Sequence, residues 1–357
     1  MGFSVLLALL VFLCAGGVQA QTLAQVVEGA KKERTVSAKL KANLTSKSMN
    51  RLEREIKEKY GVTLEIKFTP TDMAKDMSEV LMEQRAGAPP SYDVLSGMSS
   101  HITGGMKAGV LEKVNWEALL AEGAPRKAIL GLPPQDPRFY GYGLINFTGR
   151  IGLMYNPEKV PARECPKTLR GLADPKWKGR VGIFHYQNSW ARLAFIGGKE
   201  KVFSDLRAIL KNEAIQGRYP DLHNRYLLGE VWLTFTSTAY LKAAWDKSMP
   251  AAWQGIEPVD VQHFSLAVTK GARHLNAGKL LVAYLASPEG AKFMLDEGGA
   301  GNYLYPGNFE YDAHQQELKQ GLRQVSAEES QIVEFELSGE FTKWEKEINV
   351  ILQTGGR

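Results

Sequence analysis

The stretch FHYQNSW, Phe184 to Trp190, sets an imidazole, a phenol, two carboxamides, a hydroxyl and an indole directly behind the apolar run VGIF. These side chains lack the spacing of a nucleophile and its base, so the chemistry they offer is recognition. At the start of a helix, free backbone N–H groups and the positive end of the helix dipole attract an anion. Tyr186 and Trp190 can stack on a ligand or wall it in, and His185 and Ser189 complete this group of candidate contacts.

Three other strand exits carry a similar chemistry. Lys41, Asn43 and Thr45 follow TVSAKL, Ser99 and Ser100 follow YDVLSGM, and Thr236, Ser237, Thr238 and Tyr240 follow EVWLTF. Hydroxyls beside helix N-termini satisfy carboxylate or phosphate oxygens without a full positive charge, so a ligand can still leave. Helix capping is the competing role for each Ser and Thr. Arg150 and Arg192 are candidate bidentate anion contacts, and Arg192 serves equally well as a solvated helix-face residue.

Catalytic motifs do not emerge. The six histidines are scattered singly, Cys165 has no base nearby in sequence, and neither a G-x-S-x-G elbow nor a G-x-x-x-x-G-K-[ST] loop is present. No enzyme activity and no cofactor are expected. With 44 basic and 39 acidic residues the net charge is +5, a mixed surface that leans slightly towards an anionic ligand. No basic stripe is interleaved with aromatics, so nucleic acid is not an expected partner.

At the N-terminus, SVLLALLVFL followed by VQA reads as a secretory signal peptide over 1–20, cleaved after Ala20, although it lacks a basic start. Cleavage there leaves Cys165 as the only cysteine, so no intramolecular disulfide forms.

The elements that must position the candidates alternate in period. TVSAKL and VTLEIKF read as strands. Between them Ser48 is expected to cap a helix striped by Met49, Leu52, Ile56 and Tyr60 that Gly61 ends; another helix at 72–86 leads to YDVLS. This β-α-β-α-β rhythm predicts a mostly parallel sheet flanked by helices. KGRVGIF and EVWLTF begin a second such unit. Two strand-rich bridges, at 143–153 and 258–268, suggest a chain that enters a second lobe and returns.

The ordered set SYDVLSG, GVLEKV, GLMYNPEKVP, LRGLADPKWKGRVGIF, GEVWLTF and ASPEGAKFML resembles periplasmic solute-binding proteins of ABC importers, of the type II, ferric-iron-binding-protein-like group (extracellular solute-binding family 1). The resemblance implies an α/β fold of two lobes, each a mostly parallel sheet flanked by helices, with two crossing strands as hinge. The first lobe would be 21–145 with 266–305, the second 146–265, and 306–357 a C-terminal helical segment. It further implies a monomeric periplasmic receptor that closes on a small solute and delivers it to permease subunits in the inner membrane. Ferric sites of the group resemble one another in two adjacent tyrosines past the GE strand. Here those positions are Ala239 and Tyr240. A small organic anion (a carboxylate, or a phosphate or phosphonate ester) is therefore the expected ligand. Ferric iron, with Tyr240 as its ligand, is the alternative, and a secreted hydrolase a weaker one.

Overall fold

The structure, a computed structural model, describes residues 21–41 and 43–356. The signal-peptide reading lies outside these residues.

The first elements alternate helix and strand: α1 (Leu23–Glu33), β1 (Thr35–Leu40), α2 (Ser46–Tyr60), β2 (Glu65–Pro70), α3 (Met73–Arg85), β3 (Val94–Gly97) and α4 (Ser99–Ala108). β1 pairs in parallel with both β2 and β3. α2 buries Met49, Leu52 and Ile56, as their helical spacing demands, and Gly61 ends it in a left-handed conformation. Thr45, not Ser48, is its N-cap: each of the two hydroxyls answers the other's backbone N–H, so the helix starts three residues earlier than expected.

β4 (Leu144–Tyr155) leads into the second unit of β5 (Val181–Phe184), α5 (Gln187–Gly197), α6 (Lys199–Lys211), β6 (Ile215–Gly217), α7 (Tyr219–Leu227), β7 (Leu233–Ser237), α8 (Ala239–Trp245) and β8 (Ala252–Gln254). β5 pairs in parallel with β6 and β7. β9 (Val259–Val268) then returns, followed by α9 (Leu275–Leu285), α10 (Pro288–Gly298), α11 (Phe309–Lys319), β10 (Gln324–Ser326), α12 (Ser330–Glu336) and α13 (Gly339–Gln353). Ser287 caps α10, with Pro288 at its first position.

β4 and β9 are the crossing strands. They pair antiparallel from Leu144↔Leu266 to Ile151↔Asp260, with a bulge between Ile145 and Phe147. All twelve residues of β4 are buried. Its first half gives Leu144 and Phe147 to a core shared with β1, α2 and α9, and its second half gives Ile151 and Leu153 to a core shared with β5, α5, α6 and α13. The strand therefore passes from one hydrophobic core into another, which makes the fold a two-lobed α/β arrangement with a crossing pair between the lobes. Among the described residues no helix is long and apolar enough to cross a membrane.

Candidate solute-binding cleft

β5 ends at Phe184, whose fully buried ring packs against Trp190 at 5.0 Å and Phe235 at 5.3 Å between centroids. That packing fixes the start of α5 and projects Tyr186 outward from its N-cap position. Tyr186 borders a cavity of about 310 Å³ walled by α4, α5, α7, β7 and β9, elements from both sides of the crossing strands.

Three phenols meet on one wall. The rings of Tyr186 and Tyr219 lie 5.0 Å apart, those of Tyr219 and Tyr240 5.8 Å apart, and all three line the cavity. Tyr186 Oη accepts a hydrogen bond from the Tyr219 backbone N–H at 3.3 Å. The Tyr219 hydroxyl is buried without a hydrogen-bond partner among the described residues. Burial pushes the Tyr219 phenol well above its ordinary pKa, helped by Asp260 and Tyr186, and pushes Tyr240 up to about 12. Both are protonated near neutral pH when no cation is present.

Ionisable groups line the cavity as well. His263 Nδ1 lies 2.8 Å from Glu328 Oε2, and its Nε2 is 3.2 Å from Tyr303 Oη. Arg192, almost fully buried, makes ion pairs with Asp260 at 3.0 Å and Glu336 at 2.8 Å. Burial alone would lower its pKa, but the two carboxylates hold it charged and raise it. A second cavity of about 290 Å³ adjoins the first and shares Ser100, Asn188, Arg192 and Glu336 with it.

Ser99, Ser100, Tyr186, Ser189, Ser237 and Tyr240 line the first cavity, in keeping with their sequence positions. Of these, the Ser99 hydroxyl donates to the Ala327 carbonyl at 3.0 Å, and the Ser189 N–H, a first-turn amide, donates to Asn188 Oδ1 at 2.9 Å and is not free for an anion. His185 stands just outside, edge-on to Tyr186.

Several expected contacts prove structural. Trp190 is wholly buried, its indole N–H donating to the Phe184 carbonyl at 2.9 Å, so it supports the wall from behind. Lys41 Nζ and Asn43 Nδ2 both donate to the Gly298 carbonyl at 2.7 Å, closing the C-terminus of α10, while Thr45 caps α2; none of the three lines either cavity. Thr236 and Thr238 are buried, and Thr238 bonds to Glu310 and to the Arg150 backbone N–H. Arg150 is fully buried between Glu310 at 3.1 Å and Glu317 at 3.0 Å, out of reach of any cleft ligand.

Tyr219, His263, Glu328 and Glu336 are among the lining residues that sequence reasoning missed. Tyr219 follows β6, a strand of three residues too short for a period-2 pattern to reveal. Recognition of that strand would have exposed Tyr219 by the same strand-exit logic that selected Tyr186 and Tyr240.

A two-lobed fold with a polar, aromatic cleft at the crossing strands defines the type II periplasmic-binding class. Structures of that class superpose along nearly their whole length. Iron-bound HitA from Pseudomonas aeruginosa has a TM-score of 0.63 at 19% identity, covering 88% of this chain and 99% of that one. The Trichodesmium protein IdiA (FutA), solved with iron and citrate, has 0.64 at 16% identity, covering 90% and 99%. The spermidine/putrescine substrate-binding protein PotD from Streptococcus pneumoniae has 0.66 at 12% identity, covering 91% and 100%. Residues 53–316 match the bacterial extracellular solute-binding protein family, and the chain belongs to it. Iron uptake protein A1 of Synechocystis sp. (strain ATCC 27184 / PCC 6803 / Kazusa) is 31% identical over 180 residues, which span 47% of this chain and about half (49%) of that protein.

Proposed function

We propose that the protein is a periplasmic receptor of an ABC importer and that its solute is ferric iron carried with a small carboxylate anion. The observation that carries this reading is the Tyr186–Tyr219–Tyr240 cluster, in which the Tyr219 ring lies between the other two and its hydroxyl is buried without a partner among the described residues. Phenolate oxygen is a hard donor matched to a hard cation. Among the described residues no three His, Cys, Asp or Glu side chains are grouped to hold a metal, so the phenols are the available donors.

The charges favour a cation over a free organic anion. Each basic residue expected to meet an anion is already engaged: Lys41 by the Gly298 carbonyl, Arg150 by Glu310 and Glu317, Arg192 by Asp260 and Glu336. A carboxylate that arrives with the metal would bring its own counter-charge and would need only the hydroxyls of Ser100, Ser189 and Ser237. The similarity to iron-bound HitA, to iron- and citrate-bound IdiA (FutA) and to iron uptake protein A1 supports the same choice.

Capture follows from two lobes sharing one ligand. Tyr186, Tyr219 and Tyr240 lie on one side of the crossing strands and Ser100 on the other, so a solute touching both binds the closed form better and shifts the population towards it. Because the phenols must lose protons to a metal, binding strengthens as pH rises. The closed form would then be delivered to the permease.

Titration with ferric citrate tests this. A visible phenolate-to-iron charge-transfer band that saturates at one iron per chain is expected. Binding of citrate alone, with no band when iron is added, would overturn the reading.

A further inference from the structure

The second cavity asks what it holds. It opens from the first through four shared residues, yet its other lining differs: Val333, Leu337 and Phe341 of the α12–α13 segment give it apolar surface, with Glu345 beside them, and Thr103, Gly104 and Lys107 of α4 line it as well. Lys107 is exposed and makes no ion pair among the described residues. The two chambers, of about 290 and 310 Å³, adjoin, so a solute held in the first can extend into the second. An apolar wall beside a polar chamber is the arrangement expected of a ligand with two unlike ends.

Gly104 supplies an independent observation. It lies inside α4, where glycine weakens a helix relative to alanine. Its neighbour Gly105 has a packing reason, since a Cβ there would meet Leu111 at 2.8 Å. Gly104 has none: a Cβ at that position meets nothing within 4 Å, and the open space is the second chamber. A helix-weakening residue thus borders a space that the fold itself does not use, and a large side chain there would fill it.

We infer that the solute is a ferric chelate with an aromatic carboxylate body, the metal at the tyrosine cluster and the ring in the second chamber between Gly104 and the apolar wall, its carboxylate towards Lys107. This rests on the ferric reading above and specifies its substrate class.

The test uses the full mature chain and two probes, ferric citrate and ferric 2,3-dihydroxybenzoate, with Gly104→Phe to fill the chamber and Gly104→Ala as a control for helix effects. Wild type and G104A should bind the aryl complex at least about tenfold more tightly than ferric citrate, the scale set by burying a ring. G104F should lose that preference and keep its affinity for ferric citrate. Equal affinity of the wild type for both probes, or an unchanged preference in G104F, overturns the chamber assignment while ferric binding stands. Failure of both ferric probes on the wild type overturns the ferric reading and this inference with it.

Discussion

The Tyr186 phenolic oxygen accepts the backbone N–H of Tyr219 at 3.3 Å, and this contact ties the exit of β5 to the first turn of α7. It holds the two rings together while leaving the Tyr219 hydroxyl without a partner of its own. A buried hydroxyl that makes no hydrogen bond carries a desolvation cost and no compensation.

Tyr219→Phe therefore separates binding from folding. Removing the hydroxyl should leave unfolding stability unchanged or raise it by about 1 kcal/mol, because nothing in the apo fold bonds to it. Ferric citrate affinity should fall by about tenfold or more, through loss of a hard donor. Urea denaturation and the visible titration read the two effects. A destabilised variant with unaltered iron affinity would return Tyr219 to a purely structural role.

Arg150 sits fully buried against two carboxylates, Glu310 and Glu317, and joins crossing strand β4 to α11. Its Nη1 also donates to the Glu310 carbonyl at 2.7 Å. Arg150→Met strands two buried acids and should cost about 3–5 kcal/mol in urea denaturation. The triple change R150M, E310Q and E317Q should recover much of that loss, since no buried charge is then left alone. A single variant as stable as the wild type would mean that the network contributes nothing.

Adjacent glycines of α4 should respond oppositely to the same change. Gly104→Ala should stabilise by about 1 kcal/mol, the ordinary helix preference, because its Cβ has free space. Gly105→Ala drives a Cβ to within 2.8 Å of the buried Leu111 side chain and 3.1 Å of Met77, and should destabilise by about 1–3 kcal/mol. Thermal unfolding of the two variants distinguishes them; a common sign would contradict the local packing.

Much of this architecture is legible in the chain because local patterns and the fold agree. The alternation in TVSAKL, the stripe in α2 with Gly61 behind it, and Ser287 with Pro288 each state an element that the structure contains. The cleft was only partly legible. Sequence places Tyr186 and Tyr240 at strand exits, but whether a side chain faces the cleft or the core depends on tertiary packing, and that is why Trp190 turned inward. The partners of Arg150 and Arg192 lie 160 and 144 residues away at Glu310 and Glu336, a distance over which no periodicity carries information. The apparent anion contacts were thus neutralised by residues that local reading could not associate with them.

Glu310 gives the network a pH signature. Burial pushes its carboxyl up to about 7, with Glu317 adding to the shift, against the opposing pull of Arg150 and the hydrogen bonds from Thr238 and Thr148. Its ordinary value is 4.5, so between pH 4.5 and about 7 the folded chain holds a proton that the unfolded chain has released. Stability from this group is therefore greatest below pH 4.5, falls as pH rises through that window, and is flat above it, with a slope on the order of 1 kcal/mol per pH unit. Glu317, Asp260 and Glu336 are shifted upward by burial with the same sign, whereas His101, His223 and His314 are shifted downward and act oppositely. Comparing wild type with Glu310→Gln cancels what the two proteins share. The variant keeps the neutral shape at every pH, so its stability advantage over wild type should grow from pH 5 to pH 7 and then level off. Urea midpoints at half-unit intervals measure it, and an advantage independent of pH would show that Glu310 is ionised throughout, held so by Arg150.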